Sequence, residues 1–203
     1  MTNCSAMMIP ALRNGLRGLA FVVGLGFGAV SAAETTAPVS FSGGHETDPK
    51  DGGRPVVLVA AGLEVKPEVF REAFRGVTPA KDGKPSPEHA RQNKAALMKV
   101  LKPLGVTNDR LDEVSNYYRY QPQKGDLWPT APAKAHAIIE DGKIKQIVVT
   151  EAGSGYSSPP TATVKGMEKT SLTVTLQFGK DLKTNGGVAS VSAGAPKASG
   201  KSQ

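Results

Sequence analysis

The spacing of apolar positions changes period along this chain. Between residues 54 and 120 they recur at i, i+3, i+4 and i+7, one face of an α-helix. From about 132 to 192 they alternate with polar positions, as half-buried strands do. Residues 34–53 (ETTAPVSFSGGHETDPKDGG) carry almost no apolar periodicity and read as a linker or irregular arm. The tail 193–203, rich in Ala, Gly, Ser and Lys, reads as disordered. The pattern predicts an α+β chain. N-terminal helical hairpins, four helices in all, occupy 54–131, and a small antiparallel β-hairpin module follows at 132–192.

The helical stretch repeats itself. Laid without a gap over residues 95–119, residues 54–78 pair apolar with apolar at an offset of 41. Val59 falls on Val100, Ala60 on Leu101, Leu63 on Leu104, Val65 on Val106, Phe70 on Leu111 and Ala73 on Val114. Each copy breaks at a Leu-x-Val triplet and resumes as a second amphipathic helix. In the second copy Thr107 is a good N-cap and Val106 can staple onto Leu111. In the first, Pro67 suits the first helical position and Val65 can staple onto Phe70. Ser86-Pro87-Glu88 opens a long helix by the same chemistry. Amphipathic patterning alone also produces matches of this kind, so a true duplication remains one of two readings.

The β stretch is punctuated by turn signals. Asp141-Gly142 between alternating runs marks a two-residue hairpin, and Asn185-Gly186 before Val188 to Val191 reads as a second one. Between them stands Gly153-Ser154-Gly155-Tyr156-Ser157-Ser158-Pro159-Pro160, leading into a strand at Thr161 to Val164. Gly153 and Gly155 can take positive φ, Tyr156 offers a flat body and a hydroxyl, and Pro159-Pro160 sends the next strand in at a sheet edge. This segment resembles the Gly-Ser-Gly-Tyr-x-x-x-Pro-x-Val-x-Val repeats of phage tail and baseplate proteins and of exported bacterial surface proteins of unknown function. Ala162 stands where those repeats favour Val. The resemblance covers about 60 residues, implies a β-rich structural or interaction element, and supplies no catalytic residue.

Residues 1–33 read as a secretory signal: Arg13 and Arg17, an apolar run from Leu19 to Val30, then Ser31-Ala32-Ala33 as a cleavage site before Glu34. That run would span only about 18 Å of helix, short of a hydrocarbon core of roughly 30 Å. Cleavage lowers the formal net charge from +7 to +5 and removes Cys4, the only cysteine. The mature chain then has no disulfide, thiolate nucleophile or cysteine-held metal. Its charges alternate in sign without a run of five alike, so neither a nucleic-acid surface nor a membrane span is expected.

Three groups of residues could carry chemistry. His45, Glu46, Asp48 and Asp51 are the densest set of potential ligands; they match no zinc or EF-hand spacing but could hold Ca²⁺ weakly. Alternatively Asp48 or Asp51 caps a helix starting near Pro55. Tyr117, Tyr118, Arg119, Tyr120 and Trp128 concentrate the aromatics. They form either an exposed shelf for sugars or peptides, or a plug between the two halves. His89 and His136 lie far apart, and Glu113 with Asp112 or Asp126 is a carboxylate pair that nothing in the sequence selects. No nucleophile elbow or phosphate loop appears, and no cofactor is expected. The expectation is an exported, non-enzymatic structural or adhesive protein of the envelope or exterior, periplasmic or secreted. Its partner would be an envelope polymer or another exported protein. A glycan- or peptide-binding module using Tyr117–Trp128 is the alternative, and an enzyme of unidentified class the lesser one.

Overall fold

A computed structural model describes residues 34–78, 80, 85–119 and 126–194. The expected leader (1–33), Tyr120 and the tail beyond Gly194 lie outside the described residues. The fold is α+β, with four α-helices and antiparallel sheets among the described residues.

The chain enters through strand β1 (Thr35–Ser42), so the arm reading of 34–53 is corrected. β1 lies inside a four-stranded sheet of order β3-β2-β1-β4, formed with β2 (Lys134–Glu140), β3 (Lys143–Glu151) and β4 (Thr161–Val164). Thr35 to Val39 pair with β2 and Val39 to Ser42 with β4. Ala37, Val39 and Phe41 face the β core while Pro38, Ser40 and Ser42 face out, a short alternation that Pro38 and the flanking threonines obscure in the sequence. Pro38 sits where the β4 ladder ends, and its carbonyl accepts from Lys165 on that side. Its missing N–H therefore interrupts no ladder bond there. The β region is consequently not a module that merely follows the helices, because its sheet is completed by residues that precede them.

β2 and β3 join through Asp141 (φ 50°) and Gly142 (φ 72°), the two positive φ values of a type I′ turn. A two-stranded sheet, β5 (Leu172–Gln177) with β6 (Gly187–Ala193), packs against β3 and β4. The core between the sheets includes Val39, Ala137, Val164, Val174, Val188 and Val191. The expected hairpin turn at Asn185-Gly186 is not one. Residues 178–186 form a long loop, and among described non-glycine residues only Glu64 and Asp141 have positive φ.

The helices are α1 (Val56–Gly62), α2 (Pro67–Phe74), α3 (Pro87–Leu101) and α4 (Asn108–Tyr117). α2 packs on α1 and α3, while α4 touches α1. Ser86 accepts from the His89 amide and Thr107 from the Arg110 amide, so both caps form as their residue types predict. The two Leu-x-Val breaks share one geometry. Glu64 (φ 58°) and Gly105 (φ 89°) are each left-handed at the middle position. Val65 N–H donates to Ala60 O and Glu64 N–H to Ala61 O, while Val106 N–H donates to Leu101 O and Gly105 N–H to Lys102 O. Both are Schellman ends, 41 residues apart. No helix among the described residues is long and apolar enough to cross a membrane.

Candidate functional site

Of the residues the sequence marks, His45 and Trp128 come together with Tyr156 where the helical and β cores meet. At the centre of this joint is the Gly155 peptide. Its carbonyl accepts from Trp128 Nε1 at 2.8 Å and lies 3.2 Å from His45 Nδ1, while its N–H donates to Asn185 O at 2.8 Å. The imidazole of His45 stacks on Tyr156, with centroids 5.2 Å apart and planes within 3°, and meets Trp128 edge-on at 6.2 Å.

Close backbone approach explains the Gly-Ser-Gly-Tyr segment. Gly153 and Gly155 have φ of 65° and 81°, and a Cβ on either would sit 2.5 Å from Ala131 O or 2.6 Å from Pro129 O. Between them Ser154 exchanges both backbone hydrogen bonds with Ala131. Tyr156 is 4% exposed; its hydroxyl accepts from Ala133 N–H rather than donating to a turn carbonyl. Pro159 and Pro160 lead into β4, an edge strand of the four-stranded sheet. Pro160 also packs close to Gly44.

The aromatic concentration is divided rather than displayed. Tyr118 is 4% and Trp128 2% exposed, so both belong to the helical core and form no shelf. Tyr117 is half-buried, edge-on to Tyr118 at 5.0 Å, and Arg119 is exposed with Nη2 on Asn116 Oδ1. Burial pushes the Tyr118 hydroxyl up to about 12, while the hydrogen bond from Asn185 works in the other direction.

The four proposed metal ligands have other partners. Glu46 accepts from Ser158 Oγ and from Gly44 N–H, and Ser158 chiefly holds its carboxyl below the usual range. Asp48 accepts from Lys50 N–H as N-cap of a short 3-10 turn (Pro49–Asp51), and its ion pair with Lys50 lowers its pKa. Asp51 is 6% exposed, and Arg71 grips both its oxygens through Nε and Nη2 at 2.7 and 2.8 Å. Neither aspartate caps α1, whose N-cap is Pro55. Among the described residues, no three His, Cys, Asp or Glu side chains come together to hold a metal.

The remaining candidates stay apart. Asp112 pairs with Lys94 and Glu113 with Arg110, at 2.6 Å each, Asp126 is exposed, and His89 and His136 sit half-buried on α3 and β2.

No family model, curated protein or solved structure matches this chain. The site must therefore be read from its own chemistry.

Three residues central to the joint escape the sequence reading. Asn185 is 1% exposed, with Nδ2 donating to Leu58 O and the Tyr118 hydroxyl at 2.8 Å each and Oδ1 accepting from Gly179 N–H at 3.1 Å. Arg110 donates from Nε to Gly62 O and from Nη2 to Lys180 O, pinning the β5–β6 loop to α1 and α4. Arg71 ties the segment after β1 to α2 through Asp51. The only local signal was Asn185 before two glycines, and it points equally well to a turn. Among the described residues every buried side-chain nitrogen and oxygen has a hydrogen-bond partner. These groups tie the helical and β cores together.

Proposed function

We propose that this is an exported, non-catalytic protein of a bacterial cell envelope or exterior, with a structural or adhesive role. The observation that carries the reading is the joint itself. His45 stacks on Tyr156 and meets Trp128 edge-on, and both His45 and Trp128 reach the Gly155 carbonyl. Tyr156 accepts from the Ala133 amide and Asn185 donates to the Tyr118 hydroxyl, so side chains suited to ligand chemistry are engaged where the two cores meet. Side chains committed in this way serve rigidity, and a rigid two-part body suits a protein that presents surface rather than turning over substrate. The leader-like pattern of residues 1–33 supports export, and the likeness of Gly153 to Val164 to surface-protein repeats supports the adhesive role. The positive net charge of the remainder favours anionic wall or membrane polymers as partners.

The test is expression of the full chain in a bacterial host, followed by fractionation and N-terminal sequencing. Recovered protein is then sedimented with purified cell-wall sacculi at low and high salt. The expected result is a chain beginning near Glu34, outside the cytoplasm, that sediments with the sacculi at low salt. Intact protein retained in the cytoplasm overturns the export reading. Exported protein that never sediments overturns the adhesive one.

A further inference from the structure

Two shallow grooves meet at Arg54, on the face where the segment after β1 crosses α2. The first has a volume of about 270 Å³, with Val56, Phe70 and Phe74 as its floor and Lys50, Arg54 and Arg75 along its rim. The second, about 330 Å³, continues past Arg54 toward the hydroxyls of Thr47, Ser157 and Ser158 and is lined also by the carboxylates of Glu46 and Asp48, which confines an anion to the first.

Charge in the first groove is one-sided. Besides the three rim cations it is lined by Arg71, and its only lining carboxylate, Asp51, has both oxygens occupied by Arg71. Lys50 and Arg75 have partners outside the groove, Asp48 at 2.7 Å and Glu72 at 2.5 Å, in exposed pairs of low worth. Glu68 reaches Arg71 at 3.3 Å from the solvent side.

Arg54 differs from its neighbours. Its guanidinium carbon lies 4.3 Å over the Phe74 ring and its Nη1 donates to the neutral Asp51 carbonyl at 3.0 Å. Among the described residues no carboxylate lies within ion-pair distance of it. A guanidinium centred over a ring leaves N–H groups at its edge for an acceptor beyond the ring. Planar or tetrahedral oxyanions accept from that edge in pairs.

We propose that this groove binds a small amphiphilic oxyanion. The ligand's carboxylate or phosphate lies on the outer edge of Arg54, and its ring or short apolar chain lies on Val56, Phe70 and Phe74. The inference is independent of the scaffold reading above, since a structural protein can carry such a site without losing its role. Volume limits the ligand to a small molecule, and the apolar floor separates it from a bare inorganic ion.

Titration calorimetry with 3-phenylpropionate and with phenyl phosphate tests the site. Neutral 3-phenylpropionamide and inorganic phosphate serve as controls. At least one of the two amphiphiles binds saturably at millimolar concentration or tighter, and the tighter of them identifies the headgroup. Arg54→Gln weakens that binding about tenfold, the loss of one charge-assisted interaction. Arg54→Lys, which keeps the charge without the planar fork, falls between the two. It also serves as the reading if Arg54→Gln shifts the thermal midpoint. Added salt weakens the wild-type complex. No saturation by either amphiphile up to roughly 10 mM, or equal affinity in the Arg54 variants, overturns the proposal. Equal affinity for the neutral amide overturns the anionic half, and equal affinity for inorganic phosphate the apolar half.

Discussion

Asn185 uses both amide hydrogens and its carbonyl inside the protein, and its partners belong to α1, the end of α4 and the start of its own loop. Truncation leaves Leu58 O and the Tyr118 hydroxyl buried without it, and Gly179 N–H loses its acceptor. Asn185→Ala therefore lowers stability by about 2–4 kcal/mol in urea unfolding, at the upper end for single substitutions. Tyr118 adds a pH dependence whose direction follows from its raised pKa. The folded state keeps the phenolic proton where the unfolded chain, with an ordinary tyrosine near about pH 10, has lost it. Its contribution is whole below that pH and drains away as pH rises toward about 12, on the order of 2 kcal/mol in total. Tyr118→Phe isolates the effect from other groups titrating there. That variant starts about 1 kcal/mol lower at neutral pH, because one Asn185 hydrogen loses its acceptor, and then declines less steeply between pH 10 and 12. Asn185's role was not legible in the sequence, and Tyr118's was legible only as one of two readings, exposed shelf or buried plug. Leu58 is 127 positions from Asn185 and Tyr118 is 67, and nothing local distinguishes a buried clamp from a turn.

At the scale of elements, the matched Schellman ends make a comparison within one chain. Glu64 occupies the left-handed position where its counterpart 41 residues on is Gly105. An L side chain there costs about 1 kcal/mol, and the exposed ion pair of Glu64 with Lys180 returns little of it. Glu64→Gly is expected to raise stability by about 1 kcal/mol and Gly105→Ala to lower it by a similar amount, both read from urea midpoints. Caps and stops of this kind were legible because each is settled within five or six residues. The strands at 134–140 and 143–151 were legible for the same reason, since their joining turn is written in Asp141-Gly142. β1 was not. Its inward alternation of Ala37, Val39 and Phe41 is short, and its partners β2 and β4 lie on either side from segments about 100 and about 120 residues away in the chain. Deleting residues 34–42 tests this directly. If they were an arm, the circular dichroism spectrum and unfolding midpoint would hardly change. As an interior strand, their loss leaves two raw edges and abolishes cooperative unfolding of the sheet.

For the whole molecule the joint predicts coupling. The helical core, with Trp128 inside it, and the β core, with Tyr156 inside it, share the hydrogen bonds of Gly155 and Asn185. Trp128 fluorescence, which reports on the helical core, and amide hydrogen exchange of β2 and β3, which reports on the β core, should follow one denaturation curve in the wild type and separate in Asn185→Ala as the connection loosens. The sequence by itself determined the α+β character, the ends of three helices and the β2–β3 hairpin. These follow from periodicity, capping and turn chemistry, whose energies act between residues close in the chain. Tertiary structure alone decided three further matters: that β1 completes the sheet, that Tyr118 and Trp128 are core, and that Arg54 stands on Phe74 with no carboxylate among the described residues paired to it. Burial and hydrogen-bond satisfaction are properties of surroundings, and here those surroundings come from segments tens to more than a hundred residues apart. A residue's type limits what it can do, and the fold chooses among those options by what it places alongside.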